Sequence, residues 1–331
     1  MPQHVRKRYR GDSRGNLTLF HHGAFHIPFI RLGKVTIVTT GSTLPRRALG
    51  RQLRKLRERS SITQSAASRI AETSPQSYGR LEDGRQTKIT DLALNALANA
   101  YGATDSERRL LLGLAQEIRA AGASGSGWWR AYDDAIAKGF DHYLALEEAA
   151  NWVTSWQIAV VPGLLQTREY RRALTWATVP DSSPDETERI LDVVMRRQTL
   201  LQRDGFRFEA LLTEAVLGYR VGGPAVMAEQ IRHLIELSED PDIEIRIVPS
   251  GQDVPFGLNA GSFVLFSFPP LPTSRLQEPP VAYMEGLSGG LYVERASEVE
   301  KYSQEARRIR HVALSASTSR DLMLRVAKER R

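Results

Sequence analysis

Apolar residues recur at helical spacing through the first third of the chain and predict a series of short helices. The first predicted helix covers about residues 45–59, and its apolar positions fall on one face: Ala48, Leu49, Leu53 and Leu56. A second helix begins at Thr63, whose hydroxyl can cap the first turn, and a third begins at the Ser74-Pro75 pair. Two further helices follow, one after Thr90 and one behind a Thr104–Glu107 capping box. This region therefore reads as a compact five-helix, all-α domain.

The third predicted helix separates apolar anchors from a polar outer face. Tyr78 and Leu81, three residues apart, would hold the helix on the core, leaving an outer face of Gln76, Ser77, Gly79 and Arg80. A glutamine can pair with an adenine edge, and an arginine can reach guanine or phosphate. Two short helices joined at a tight turn, here Glu72-Thr73, are the layout of a DNA-binding helix-turn-helix.

The predicted DNA contacts extend from this helix to its neighbours. Gln64 stands at a helix N-terminus, where a side chain and backbone amides can bind phosphate together. The first helix carries seven cations against one anion, Glu58, which favours a phosphate-facing surface. The complete predicted set is Arg51, Gln64, Ser74, Gln76, Ser77, Arg80, Arg85 and Lys88.

Charge is distributed unevenly along the chain and supports the same interpretation. Residues 1–120 hold 21 Lys and Arg against 9 Asp and Glu, a net +12, whereas residues 121–331 hold 24 against 29, a net −5. A basic front half suits a polyanionic partner such as double-stranded DNA. Cysteine is absent, and no apolar run approaches the roughly 18 residues of a membrane helix. We therefore expect a cytoplasmic protein without a membrane partner.

Punctuating residues divide the chain into four parts. Residues 1–41 are predicted to be a disordered or non-native arm, 42–120 the helix-turn-helix domain, 121–127 a Gly/Ser linker, and 128–331 a second domain. In the second domain the pattern predicts an α/β or α+β fold with about four or five strands. Predicted strands lie at 207–217, 243–248, 262–268, 281–285 and 291–294, after a short extended piece at 157–161. Predicted helices lie at 128–154, 167–178, 183–203, 224–238, 297–314 and 318–328.

Residues 44–102 resemble the XRE-type helix-turn-helix of phage repressors and bacterial regulators, that is, a lambda-repressor-like domain. The resemblance rests on Leu53, Leu56, Arg57, Thr63-Gln64, Ser74, Tyr78, Arg80-Leu81-Glu82 and Gly84-Arg85. It implies that Gln64, Ser74, Gln76, Ser77 and Arg80 lie at the DNA. The chain departs from the family pattern at Ala67, where a larger apolar residue is usual, and at Glu72, where the turn usually has glycine.

The second domain resembles the C-terminal domain of unknown function in a group of XRE-type actinobacterial regulators, often described as antitoxin-like. The phrases that carry this resemblance include Leu146-Glu147, Val161-Pro-Gly-Leu-Leu-Gln-Thr167 with Tyr170, Met195-Arg-Arg-Gln198, Thr213-Glu-Ala215, Gln230 and Val281-Ala-Tyr-Met-Glu285. The resemblance implies a cytoplasmic transcriptional regulator, commonly encoded beside a small partner protein. It implies no established reaction.

Three hypotheses for the function follow from these features. The first is a homodimeric regulator that binds a palindromic operator and senses a ligand or partner through its second domain. The second is an antitoxin-type protein that sequesters a small partner from a neighbouring gene, and the third is a DNA-tethered enzyme. Candidate ligand or partner residues are Glu147, Gln166, Arg197, Glu214 and Glu285. No catalytic motif or metal-ligand spacing is present in the sequence, so we expect no enzyme activity, cofactor or metal.

Overall fold

The computed structural model describes residues 44–85, 88–123, 128–132, 134–137, 139–251, 257–286 and 289–329. The predicted N-terminal arm over residues 1–41 lies outside the described residues. The predicted linker over 121–127 is described only in part. Its first three residues continue a helix, and residues 124–127 lie outside the described part.

The first region of the described chain consists of the predicted helices. Their bounds are α1 Leu44–Arg59, α2 Gln64–Ile70, α3 Pro75–Glu82, α4 Asp91–Ala100 and α5 Asp105–Ala123. Leu49, Leu53 and Leu97 are fully buried between them, as the helical spacing of the apolar positions predicts. The capping box before α5 is also present, because the Thr104 amide donates to Glu107 and the Glu107 amide donates to the Thr104 hydroxyl.

The second region combines a mixed sheet with helices on both of its faces. Its helices are α6 Phe140–Ala149, α7 Arg168–Thr178, α8 Pro184–Arg197, α9 Ala215–Gly218, α10 Pro224–Leu237, α11 Ala296–Val312 and α12 Ala316–Glu329. Its strands are β1 Trp152–Gln157, β2 Arg207–Thr213, β3 Ile243–Val248, β4 Phe263–Ser267, β5 Val281–Gly286 and β6 Gly289–Val293. The sheet order is β3-β2-β1-β4-β5-β6, with β1, β2 and β3 parallel and the remaining pairs antiparallel.

Five predictions for this region are wrong in detail. The sheet has six strands within the described residues rather than four or five. The predicted helix over 128–154 is a 3-10 turn at Trp128–Tyr132 followed by α6, and β1 occupies the end of that range instead of 157–161. The predicted helix over 183–203 ends at Arg197 and continues as a 3-10 turn, and the predicted strand over 207–217 ends at Thr213 before α9. The strong helix formers Ala149 and Ala150 run directly towards β1, so no turn residue marks the change before Asn151.

Both faces of the sheet are buried, and alternating strand residues enter different clusters. On one face Val153, Phe208 and Ile245 join a large apolar cluster that continues into the helical region. On the other face Trp156 and Phe263 pack with residues of α11 in a smaller cluster. The alternation of side chains along a strand explains this division. None of the helices in the described part of the chain combines the length and apolar character needed to span a bilayer.

Helix α1 crosses the end of α3 at a glycine. A Cβ atom placed on Gly50 would lie 2.5 Å from the carbonyl oxygen of Glu82 and 2.6 Å from that of Leu81. Real Cβ atoms do not come so close to backbone, so only glycine permits this crossing distance. Gly84 follows α3 with φ +68°, and a Cβ there would lie 2.8 Å from the Cα of Arg47. Two close contacts therefore join α1 to the C-terminal end of α3.

Candidate nucleic-acid interface

Side-chain caps fix the starts of the two helices predicted to form the helix-turn-helix. The Thr63 hydroxyl accepts a hydrogen bond from the Ala66 amide at 3.2 Å, which caps α2. The Ser74 hydroxyl accepts from the Ser77 amide at 3.1 Å, and Pro75 occupies the first turn of α3. Both caps were predicted from the sequence, and both satisfy amides that the first helical turn leaves without a partner.

The turn between α2 and α3 places a non-glycine residue in the left-handed region. Glu72, which stands where the resembled family usually has glycine, has φ +51° and is exposed. A residue with a Cβ is strained in this conformation, whereas glycine adopts it freely.

Replacing Glu72 with glycine is therefore expected to raise the free energy of unfolding by about 0.5–1 kcal/mol, because the strain of the left-handed conformation is relieved. Thr73→Gly is the matched control, because Thr73 is the next residue along the chain, is also exposed and does not have a positive φ. Chemical denaturation of the helical signal measures both variants. Equal destabilisation by the two substitutions would contradict this account of the turn.

Tyr78 and Leu81 anchor α3 to the core, as their spacing predicts. Tyr78 is fully buried, and its hydroxyl lies 2.6 Å from the hydroxyl of Tyr101, the residue that follows α4. Burial raises the pKa of both phenols, that of Tyr101 to about 12, so both stay neutral and can share a hydrogen bond. One side of α3 is thus held rigidly, and this fixes which of its residues face outward.

The outward side of α3 carries the predicted base-contacting residues. Gln76 and Arg80 are exposed, and no carboxylate among the described residues pairs with Arg80. A surface cleft beside the turn brings Ser77, Arg80 and Lys88 together. These side chains can present hydrogen-bond donors to base edges and phosphates.

Gly79 leaves the backbone of α3 open on the same side. A Cβ built there would meet only the Gln64 amide oxygen, at 3.9 Å, which is an ordinary contact. Packing within the described chain therefore does not require glycine at this position. Without a side chain at this position, the backbone of α3 is open to close approach from outside.

The Glu82 side chain joins α1, α2 and α3 beneath the surface. Its carboxylate accepts from the Arg57 guanidinium at 2.5 and 3.0 Å and from the Gln64 side-chain amide at 2.8 Å. Burial acts to raise the pKa of Glu82, but the hydrogen bonds from Arg57 and Gln64 outweigh it and lower the pKa. Gln64 is exposed and held in one orientation at the start of α2, where it was predicted to meet phosphate.

The cations of α1 do not form the open phosphate-facing surface that their number suggested. Five of the seven pair with carboxylates of this chain: Arg47, Arg51, Arg54, Arg57 and Arg59. Arg51, one of the predicted DNA contacts, is held by Glu278 through two hydrogen bonds of 2.8 and 2.5 Å. Helix α1 itself contains one anion. The carboxylates that pair with its arginines come from α3, α5 and the second region.

The other predicted DNA contacts lie around the end of α3. Ser74 is exposed at the cap, Lys88 is exposed, and Arg85 is half-buried. Arg85 and Lys88 also line a second cleft, of ≈ 340 Å³, between α1, α5 and the segment after α3. The structure thus brings the predicted contacts other than Arg51 to α2, α3 and the segment that follows.

The five candidate ligand or partner residues of the second region do not form one site. Glu147 and Arg197 are both buried and joined by two hydrogen bonds of 2.8 Å. Gln166 is buried and donates to the Val161 carbonyl. Glu214 accepts from the Ser250 amide, which joins the ends of β2 and β3, whereas Glu285 is exposed on β5.

Gln198 and Gln230 have a role that the sequence did not reveal. The Gln198 side-chain amide donates to the carbonyls of Gly163 and Gln166, and Gln230 donates to Leu165 and accepts from the Thr167 amide. Together with Gln166, these side chains hold the segment 161–167 in place through hydrogen bonds to its backbone. The family phrases contained both residues, but only the folded chain shows that they share one target.

Comparison with protein families agrees with this division of the chain. Residues 48–111 match a family model described as a helix-turn-helix domain, and residues 140–325 match a domain of unknown function, DUF5753. Comparison with curated proteins and with solved structures found no match. The second family match covers more than half of the chain, so the protein belongs to the DUF5753 family and carries a helix-turn-helix domain ahead of that family's domain.

Proposed function

We propose that the protein is a sequence-specific DNA-binding transcriptional regulator in which α3 lies in the major groove. The observation that carries this proposal is the two-sided character of α3. Tyr78 is fully buried on one side, whereas Gln76 and Arg80 are exposed on the other. A buried anchor sets the helix orientation, and exposed amide and guanidinium groups are the donors that distinguish base edges.

Three neighbouring features support the same proposal. The exposed start of α2 carries Gln64, the start of α3 carries Ser74, and helix N-termini with such side chains bind phosphate. Gly79 leaves room for close approach to the α3 backbone. Lys88 adds a cation next to Arg80.

The proposed role of the second domain is to form a homodimer and to receive a signal from a ligand or partner protein. Dimerisation would place two copies of α3 about one helical turn of DNA apart, on a palindromic operator in the cytoplasm. We propose no catalytic role for this domain. The Glu147–Arg197 pair supports this view, because the two charged groups are hydrogen-bonded to each other in the interior.

Selection from a pool of randomised DNA duplexes tests the proposed function. The full chain is expected to enrich one short sequence, arranged as two half-sites in inverted order. Enrichment of a single half-site would retain DNA recognition and reject the dimer. A pool that stays random after repeated rounds would contradict sequence-specific binding.

A further inference from the structure

The helix-turn-helix domain and the second domain meet through ion pairs made by helix α1. Arg47 donates to Glu294 at 2.6 Å, and its Nε lies 3.8 Å from Glu278. Arg51 donates to both oxygens of Glu278. We call these four side chains the clasp. The partners are 227 and 247 residues apart along the chain, so the clasp exists only when the two domains are docked.

The carboxylates of the clasp depend on these arginines. Glu278 has no exposed surface, and a buried carboxylate without a cation is costly. For Glu294, burial acts to raise the pKa, but the charge of Arg47 and a contact with His142 bring it down to about 2. Glu294 is therefore ionised in the docked state, and both carboxylates are paired with arginines of α1.

The clasp lies beside the end of the recognition helix. Gly84, which ends the turn after α3, packs directly on Arg47, and Gly50 packs on the last carbonyls of α3 between the two clasped arginines. Arg80, the proposed base contact, stands one turn before Gly84. The positive charges that the clasp neutralises are thus adjacent to the surface proposed to meet DNA.

The second domain presents the two carboxylates from either side of one hairpin. Glu278 precedes β5, Glu294 follows β6, and β6 is the edge strand of the sheet. A third contact supports the same docking, because Glu117 of α5 accepts hydrogen bonds from the amides of Thr273 and Ser274 in the segment before β5. An apolar cluster is also continuous between the two domains, so these polar contacts add specificity to an interface that is partly apolar.

We infer that the clasp is an autoinhibitory contact, in which Glu278 and Glu294 withhold Arg47 and Arg51 from DNA phosphates until the contact between the two domains opens. The inference rests on the proposed function. Phosphate and carboxylate compete for the same guanidinium groups, since both accept paired hydrogen bonds from arginine. A signal received by the second domain would then reach α1 through the hairpin.

The salt dependence of DNA binding tests the clasp in the full chain. Binding to a fixed duplex of arbitrary sequence is measured by fluorescence anisotropy over a range of salt concentrations. The Glu278→Gln/Glu294→Gln variant is expected to steepen the slope of log K against log salt by about 1.8, or about 0.9 for each arginine released to phosphate. Its affinity at low salt is expected to rise about tenfold.

Two further variants separate release of the arginines from simple loss of negative charge. Glu300→Gln removes the carboxylate of an exposed ion pair with Arg307 on α11 and is expected to leave the slope unchanged. Adding Arg47→Gln and Arg51→Gln to the double variant is expected to return the slope to the wild-type value. In the Glu278→Gln/Glu294→Gln variant, each glutamine keeps a hydrogen-bond acceptor near its arginine. Circular dichroism verifies that each variant is folded.

Domain docking provides a readout that needs no DNA. The chain has no cysteine, so spin labels on Leu92→Cys and Glu236→Cys report one interdomain distance without background labelling. The distance distribution is expected to broaden in the Glu278→Gln/Glu294→Gln variant.

The outcomes distinguish the clasp from the proposed function. If neither the wild-type chain nor the Glu278→Gln/Glu294→Gln variant binds a duplex at any salt concentration, DNA binding itself is overturned, and with it the autoinhibitory role. A chain that binds DNA with the same slope in the wild type and the double variant leaves the proposed function standing and overturns the clasp. An equal change of the salt-dependence slope in Glu300→Gln also overturns the clasp, because the slope would then depend on net charge and not on release of the two arginines.

Discussion

Replacing Glu147 with alanine is expected to lower the free energy of unfolding of the second domain by about 3–5 kcal/mol, because Arg197 would be left buried without a counter-ion. Both oxygens of Glu147 accept hydrogen bonds from Arg197, and the exposed fractions of the two side chains are 1% and 8%. The Arg197 guanidinium also stacks near the rings of Phe140 and Tyr143. A Cβ on Gly163 would lie 3.1 Å from its Nη1, so a side chain at position 163 would crowd the cation.

The pKa of Arg197 is consistent with this expectation. Burial acts to lower its pKa, but the charge and hydrogen bonds of Glu147 outweigh burial, and the pKa is raised. Without Glu147 the largest contributions that oppose the cost of burial are lost, and arginine does not lose its proton to avoid that cost.

Tryptophan fluorescence measures the effect on the second domain, to which Glu147 belongs. The tryptophans of the chain all follow residue 127, so urea denaturation followed by their emission reports the second domain. Glu300→Ala is the control, because its partner Arg307 and Glu300 itself are more than half exposed, and such pairs contribute about 0–1 kcal/mol. A Glu147→Leu/Arg197→Met chain, with no buried charge at this place, is expected to recover most of the loss. An equal effect of Glu147→Ala and Glu300→Ala would contradict the account.

Replacing Gly50 with alanine is expected to destabilise the helix-turn-helix domain by about 1–3 kcal/mol or more, since overpacking forces backbone to move. In an unhindered helix the same change stabilises by about 1 kcal/mol, because alanine has the higher helix propensity. At Gly50 the added methyl group would meet two backbone carbonyls at 2.5 and 2.6 Å. Neither carbonyl belongs to a flexible side chain, so α1 and the end of α3 must separate.

Gly113 supplies the matched control for Gly50. It also lies inside a long helix, α5, and a Cβ built there has no neighbour within 4 Å among the described atoms. Gly113→Ala is therefore expected to stabilise the domain by about 1 kcal/mol. Far-UV circular dichroism follows the helices of both domains, and tryptophan emission, which reports the second domain, separates the two contributions. Stabilisation by both alanines would show that the helix crossing is looser than described.

Much of the helical region could be predicted from the sequence because its determinants are local. Thr63, Ser74 and Thr104 cap helices through bonds to amides three residues away, so short patterns reveal them. Tyr78 and Leu81 fall on the buried side because three-residue spacing places them there. The resemblance to the XRE-type helix-turn-helix rests on these same residues.

The environment of α1 could not be predicted, because its partners are remote in sequence. Arg51 appeared to be one of seven cations facing solvent, and Glu278 had no feature to single it out. Folding brings the two into contact across 227 positions and buries the carboxylate completely. Helical periodicity describes which side a residue occupies, but it contains no information about which distant segment covers that side.

In the second domain, residue types were identified better than their arrangement. Glu147, Gln166 and Arg197 were selected as polar residues within family phrases, and they are buried around one segment of backbone. Glu214 and Glu285 were selected on the same basis, but Glu214 lies at the ends of β2 and β3, and Glu285 is exposed, although its charge acts to raise the pKa of Arg197. A short stretch of sequence shared with a family indicates that a residue is important to the fold. Only the tertiary contacts show whether that residue is available to a ligand or supports a loop.

Binding of the Gln76→Ala/Arg80→Ala variant to the duplex enriched by selection tests most directly whether α3 reads DNA. Each base contact contributes about 1–3 kcal/mol, so the double variant is expected to bind at least about thirtyfold more weakly. Its thermal unfolding should remain that of the wild type, because both side chains are exposed. Arg109→Ala/Gln116→Ala removes the same residue types from exposed positions of α5 and is expected to bind nearly as the wild type does. Wild-type affinity and sequence preference in the Gln76→Ala/Arg80→Ala variant would contradict the assignment of α3 as the recognition helix.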